Sequence, residues 1–163
     1  YEQAGKLIKK FVPAFPVEIE KFYTLVLFNY MFGNGDAHLK NFSVLETPQG
    51  DYILSPAYDL INTRLHVDDS PLALNDGLFK DFEMTKSFEA NGFYAYDDFH
   101  EFGIKIGLVK SRMEKILQTF MTNQKNVFQL IEHSYLSNEM KKGYKASYKK
   151  KLKAINYSYL GRI

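Results

Sequence analysis

The sequence predicts a mainly α-helical domain with small β-hairpins, and three observations carry that expectation. Apolar residues recur every three or four positions in most of the chain, which is the spacing of one helix face. Two pairs of short β-type runs flank turn residues, which is the pattern of hairpins. A hydrophobic content of 45%, with 16% aromatic residues, is enough for a sizeable core in 163 residues, one domain or one lobe of a larger protein.

In chain order, Ala4, Leu7, Ile8 and Phe11 mark a first helix in EQAGKLIKKF, with Pro13 and Pro16 ending it and a short linker following. From Glu18 to Phe32 nearly every helical face is apolar, so this helix is expected to be covered on all sides and to stop at Gly33. NFSVLE and DYILS form a hairpin around TPQG, with Pro48 second and Gly50 fourth in the turn. PLAL and LFKDF around Asn75, Asp76 and Gly77 suggest a second hairpin. Asp97 is placed as the cap of a short helix through Ile106, and Ser111 with Glu114 as a capping box opening a longer one. The longer helix presents Met113, Ile116, Leu117, Phe120, Met121, Val127, Phe128, Ile131 and Tyr135 to the core, with a break near Asn123. A terminal helix buries Met140, Tyr144, Tyr148, Leu152 and Ile155.

Charge and composition exclude several classes. There is no Cys, so disulfides and thiolate metal sites are ruled out, and with no signal-like segment the chain fits a reducing cytoplasm. The apolar stretch Phe22 to Phe32 is too short to cross a bilayer. Net charge is +2, but from Glu139 onward seven Lys and one Arg face one Glu, a local +7 that leaves −5 for the preceding 138 residues. The periodicity of that segment reads as the solvated side of a helix, so direct nucleic-acid binding is not expected. The chain opens at Tyr1 rather than Met, as an excerpt of a longer protein would.

Chemistry concentrates in FNYMFGNGDAHLKNFSV, Phe28 to Val44. Gly33 and Gly35 are expected to turn the backbone sharply with φ values closed to most residues, presenting Asp36 on a loop. Asp36 and Asn41 stand five apart, the D-x-x-x-x-N spacing of a protein-kinase catalytic loop, in which the Asp accepts a hydroxyl proton and the Asn oxygen binds Mg²⁺. Asp59 in LSPAYDLIN, brought back by the first hairpin, is the candidate second oxygen ligand of that cation. Lys40 is a candidate for stabilising charge on the transferred phosphoryl group, its alternative being a loop lysine in water. His38 is grouped with Asn41 and Asp59 as cofactor-binding but not as a metal ligand, a neutral His bracing the loop being favoured over a ligand. Tyr58 is expected to pack under Asp59. The polar loop with Arg64, His66, Asp68 and Asp69 lies where kinases carry an activation segment, and a solvated turn explains it equally well. No Gly follows Asp59 as in D-F-G.

These two segments resemble the C-terminal lobe of HipA-type toxin kinases, which share the G-N-x-D-x-H-x-K-N-F core and the P-A-Y-D element. The likeness extends over most of the chain, including the first helix and LALNDG, and makes it a single protein-kinase-like C-lobe over 1–163. It implies a serine/threonine protein kinase of a toxin–antitoxin system that uses ATP and Mg²⁺. Asp36 is then similar to the catalytic base, with Asn41 and Asp59 similar to the metal ligands. It further implies a protein substrate, such as an aminoacyl-tRNA synthetase, and a DNA-binding antitoxin as partners. Gly35 stands where relatives more often carry Thr, Arg or another larger residue, which predicts a looser loop.

A kinase also needs a glycine-rich loop and a strand-borne Lys. The chain has neither G-x-G-x-x-G nor G-x-x-x-x-G-K-[ST], and only 35 residues precede Asp36, so an N-terminal lobe from the same or a separate chain is expected to supply them. Two rival readings are a metal-dependent phosphoesterase, which four scattered His supply poorly, and a non-catalytic kinase-like interaction module.

Overall fold

A helix with no polar face must be covered on every side, and the chain is arranged to do this. In the computed structural model, which describes residues 1–122 and 125–161, the first helix α1 (Glu2–Phe11) leads into the central helix α2 (Phe15–Phe32). Phe22, Tyr23, Leu27, Tyr30 and Met31 of α2 are almost wholly buried. Burial of each such side chain contributes about 1.5–3 kcal/mol, which makes α2 the axis of the core. Helix α2 starts at Phe15 with Pro16 in its first turn, not after a linker at Glu18. Proline has no N–H to lose there, so Pro16 opens a helix where the sequence reading made it a stop.

Gly33 ends α2 in the left-handed region, φ 72°, and its N–H bonds back to Tyr30. Strands β1 (Val44–Glu46) and β2 (Tyr52–Leu54) follow, paired antiparallel with Leu45 opposite Ile53. The turn between them is closed by Gly50 N–H to Thr47 O at 2.9 Å, as Pro48 and Gly50 suggest. The buried Glu18 carboxylate ties this hairpin to α2 by accepting from the Leu54 N–H at 2.9 Å, while Lys21 offsets its charge at 2.7 Å.

The second hairpin does not form. Gly77 N–H does close a turn on Leu74 O, yet the flanking segments pair with nothing as strands, and Asp81 and Phe82 both take φ near +57°, at 56° and 58°. Such residues break an extended run, and β1–β2 is the one sheet among the described residues. A short helix α3 (Lys86–Asn91) was not anticipated; Thr85 caps it by accepting from Phe88 N–H at 2.9 Å.

Helix α4 (Tyr96–Lys105) is capped by Asp98, not Asp97: Asp98 accepts from Ala95 N–H at 2.7 Å, and Asp97 instead holds Ser158 and Tyr159 at 2.6 Å each. Helix α5 (Lys110–Met121) begins after Val109 with no side-chain cap, so Ser111 and Glu114 form no capping box. Helix α6 (Lys125–His133) continues the same apolar face, and the break expected near Asn123 lies outside the described residues. Tyr135, assigned to the core, is fully exposed beyond the end of α6.

Helix α7 (Asn138–Ile155) closes the bundle against α2, with Tyr148 stacked on Phe32 at 5.4 Å between centroids. On the opposite side of α2, Phe102 of α4 stacks on Tyr23 at 5.8 Å. No helix among the described residues is long and apolar enough to cross a membrane.

Candidate functional site

The C-terminal end of α2 is the platform on which the polar residues gather. Asn29, buried within the apolar helix, accepts through Oδ1 from Asn34 Nδ2 at 2.9 Å. Asn34 is itself buried and makes two further bonds: Nδ2 donates to the Asp59 carbonyl at 2.8 Å, and Oδ1 accepts from the Asp36 N–H at 3.2 Å. One amide therefore locks the Asp36 loop to the segment that carries Asp59.

Asp36 follows directly, its side chain half exposed, with His38 Nε2 at 3.4 Å from Asp36 Oδ1. Tyr1 donates to the Ala37 carbonyl at 2.6 Å and pins the chain between them. A single 3-10 turn over Leu39–Asn41 then brings Asn41 back beneath the loop. Asn41 is buried; its Nδ2 donates to Asp59 Oδ2 at 2.8 Å and to the Asp36 carbonyl at 3.2 Å. Both bonds use the amide nitrogen, so neither occupies the side-chain oxygen. Asp59, reached through the β1–β2 hairpin, is exposed and holds φ at 56°, a left-handed conformation that costs a non-glycine residue about 1–2 kcal/mol. Its bonds to Asn34 and Asn41 hold that conformation in place.

Asp36, Asn41 and Asp59 are thus brought together, with His38 beside them. Lys40 is exposed; its carbonyl accepts from Tyr58 at 2.8 Å. Tyr58 does not pack under Asp59: its hydroxyl also meets Ser43 Oγ at 2.8 Å, clamping the outgoing strand to the loop.

Gly35 differs from its expectation. Its φ lies outside the left-handed region, and the glycine is required by crowding: a Cβ there would collide with the Asp69 side chain and stand 2.8 Å from the Ser70 carbonyl. The loop from Arg64 to Ser70 thus packs onto the Asp36 turn, and Gly35 N–H donates to Thr63 Oγ1 at 2.9 Å, so the loop is tighter rather than looser.

Sequence reasoning did not assign Asn29, Asn34 or Thr63 to this site. The available signal was the pair of amides, one inside an apolar helix and one between two glycines, because a buried amide needs partners.

An apolar groove of about 680 Å³ runs beside this cluster, between α2 and the segment from Ile53 to Leu60 that leads to Asp59. Among the described residues no three His, Cys, Asp or Glu side chains gather as a metal-ligand set, so the several ligands that a two-metal centre needs are not found there. The Asn41 amide and the Asp59 carboxylate, joined by the bond from Asn41 Nδ2, each also carry an oxygen of the kind that suits a hard cation taking further ligands from a phosphate and water.

A profile described as the HipA-like C-terminal domain matches residues 1–128. A curated protein of Haemophilus influenzae named "Putative kinase" is 26% identical over 167 residues, covering 96% of this chain and 48% of that protein. "Putative kinase Y4mE" of Sinorhizobium fredii is 28% identical over 120 residues, covering 73% of this chain and 27% of that protein. The chain spans about half, or less, of the length of these relatives.

Proposed function

From the premise that the chain belongs to the HipA-like C-terminal domain family, we propose that it is the catalytic C-terminal lobe of a serine/threonine protein kinase that moves the γ-phosphoryl group of ATP to a protein hydroxyl. The observation that carries this reading is the 2.8 Å bond from Asn41 Nδ2 to Asp59 Oδ2, with the same nitrogen bound to the backbone carbonyl of Asp36. A binding surface has no need of that arrangement, so it weighs against the non-catalytic module.

Asp36 accepts the proton of the attacking hydroxyl, and its half-exposed carboxylate is reachable from solvent for that purpose. Asn41 and Asp59 are the protein ligands that would hold Mg²⁺, and the ion when bound neutralises charge on the nucleotide phosphates. His38 orients the Asp36 carboxylate from 3.4 Å. Lys40, exposed and next to Asn41, stabilises the charge of the transferred group. The glycine-rich loop and its partner lysine come from an N-terminal lobe of the same or a separate chain, a reading supported by the relatives being about twice as long or more. The wider reading follows the family likeness: a toxin–antitoxin kinase in the cytoplasm, with a protein substrate such as an aminoacyl-tRNA synthetase and a DNA-binding antitoxin as partners.

Phosphorylation by the full-length protein, with Asp36→Ala and Asp59→Ala beside wild type, tests this. Loss of the base or of the metal ligand is expected to slow the reaction by about 10² to 10⁴. Equal activity in all three would end the kinase reading. The isolated chain is expected to bind Mg-ATP weakly by titration calorimetry, because the phosphate cradle is elsewhere.

A further inference from the structure

Gly35 is the soft point of the Asp36 loop. The segment from Thr63 to Ser70 packs so closely on it that a Cβ would meet the Asp69 side chain and the Ser70 carbonyl. The packing therefore demands a glycine, and glycine leaves the backbone freer to rotate than any other residue. That freedom sits directly before Asp36, whose half-exposed carboxylate has His38, at 3.4 Å, as its one ion-pair partner among the described residues. A contact of that length holds a side chain weakly, so the carboxylate inherits its position from the backbone. Within the loop that backbone is held by three bonds. Asn34 Oδ1 accepts from the Asp36 N–H at 3.2 Å, and the Asp36 carbonyl accepts from the His38 N–H at 2.7 Å and from Asn41 Nδ2 at 3.2 Å. The Gly35 N–H is held from elsewhere: it donates to Oγ1 of Thr63 at 2.9 Å, four residues beyond Asp59. The 3-10 turn Thr63–Leu65 that carries this oxygen is itself anchored, since the Arg64 N–H donates to the Gly33 carbonyl at 3.3 Å and the Arg64 guanidinium to the Asp69 carbonyl.

We propose that Thr63 is a positioning residue of the transfer step: by accepting the Gly35 N–H, its side-chain oxygen sets the place of the Asp36 carboxylate relative to Asp59. The inference rests on the kinase reading above. In that reaction the acceptor oxygen bonds to the γ-phosphorus, the bond from that phosphorus to the leaving ADP oxygen breaks, and the acceptor's proton passes to Asp36. Thr63 touches none of these atoms, and its part is geometric. The base and Asp59 lie on two separate segments, and a productive site needs its groups held to within about 0.5 Å. Asn34 ties the two segments through the Asp59 carbonyl at 2.8 Å, and Thr63 ties them again on the far side of Asp59 in sequence. Without the second tie the glycine is free to turn, and a displacement of about 1 Å at the base costs up to about 10²-fold in rate.

The test measures hydrolysis of Mg-ATP by the full-length protein, with water standing in for the protein hydroxyl, so that kcat and KM are read without knowing the acceptor. Thr63→Val keeps the shape and removes the oxygen, Thr63→Ser keeps the oxygen, and Thr63→Cys puts a poor acceptor of nearly serine size in its place. The valine variant is expected to lose about 10- to 100-fold in kcat with KM for Mg-ATP almost unchanged, serine to restore the wild-type rate, and cysteine to fall between them. Amide exchange at Gly35, followed by NMR, should speed up in the valine and cysteine variants and not in serine, while the buried α2 amides of Val26 and Leu27 keep their protection. A kcat that follows side-chain bulk, with serine and cysteine alike, would overturn the proposal, and so would a loss confined to KM. The serine and cysteine pair decides the matter even if the valine variant folds poorly. A wild type no faster than Asp36→Ala would end the kinase reading and this inference with it, whereas an active wild type matched by Thr63→Val would end this inference alone.

Discussion

Removing the Asn34 side chain would strip partners from Asn29 Oδ1, the Asp59 carbonyl and the Asp36 N–H together. Each buried group left unpaired costs about 1–3 kcal/mol, so Asn34→Ala should lower stability by about 2–3 kcal/mol and, under the proposed kinase reading, abolish most phosphorylation by the full-length protein because it releases both the Asp36 loop and the Asp59 backbone. Denaturant titration beside a kinase assay checks this, and unchanged activity would mean the loop needs no such lock. Gly35→Ala tests the adjoining contact. Its methyl group must displace the Ser70 backbone, at a cost of about 1–3 kcal/mol by overpacking. That Asp36, Asn41 and Asp59 would come together was legible because their spacing matches a kinase-like loop followed by a hairpin. Asn34 and Thr63 were not legible, since what they do depends on which segment folds over the loop, and neither spacing nor propensity encodes that meeting.

Among the elements, the body of α2, the first hairpin and α7 could be read because periodicity or turn chemistry runs through them. The failures lie at ends and in short pieces, where one hydrogen bond decides. Helix α3 has six residues, too few to show a period, and its evidence is the Thr85 cap alone. Asp97 and Asp98 are adjacent, so the sequence could not say which carboxylate turns back to the Ala95 N–H and which crosses to Ser158 and Tyr159. Those separate tasks predict separate phenotypes. Burial holds the Asp98 carboxyl above its ordinary range, yet it binds both Thr85 and Ala95, and Asp98→Ala should cost about 1–3 kcal/mol by loosening α3 and α4 together. Asp97→Ala should leave the melting temperature nearly unchanged and instead raise amide exchange at Tyr159 and Leu160, whose N–H groups Asp97 holds. A large fall in melting temperature for Asp97→Ala would reverse this assignment.

For the whole molecule, the basic terminal segment was read as a solvated face, and most of its lysines are exposed, but Lys151 turns inward to Tyr30. Its consequence is a pH dependence of unusual sign. Burial, Arg64 and Lys150 bring the Lys151 ammonium down to about 7 from an ordinary value of 10.5, despite the attraction of the ring face. Between those values the unfolded chain holds a proton that the folded chain has released, so stability is gained as pH rises and lost as pH falls through 7. The slope from this one group is at most about 1.4 kcal/mol per pH unit. Buried tyrosines set the upper limit: burial raises Tyr23, Tyr30 and Tyr94, the last to about 12, from an ordinary 10.0. Above pH 10 the unfolded chain ionises its tyrosines first and stability falls again. Urea unfolding across this pH range should therefore show stability climbing from neutral pH to a maximum near the tyrosine limit. In Lys151→Met the climb should flatten, and the variant should exceed wild type at neutral pH because the buried charge is gone. A wild-type profile already flat from neutral pH upward would mean that Lys151 stays charged in the fold, its repulsion from Arg64 relieved by water.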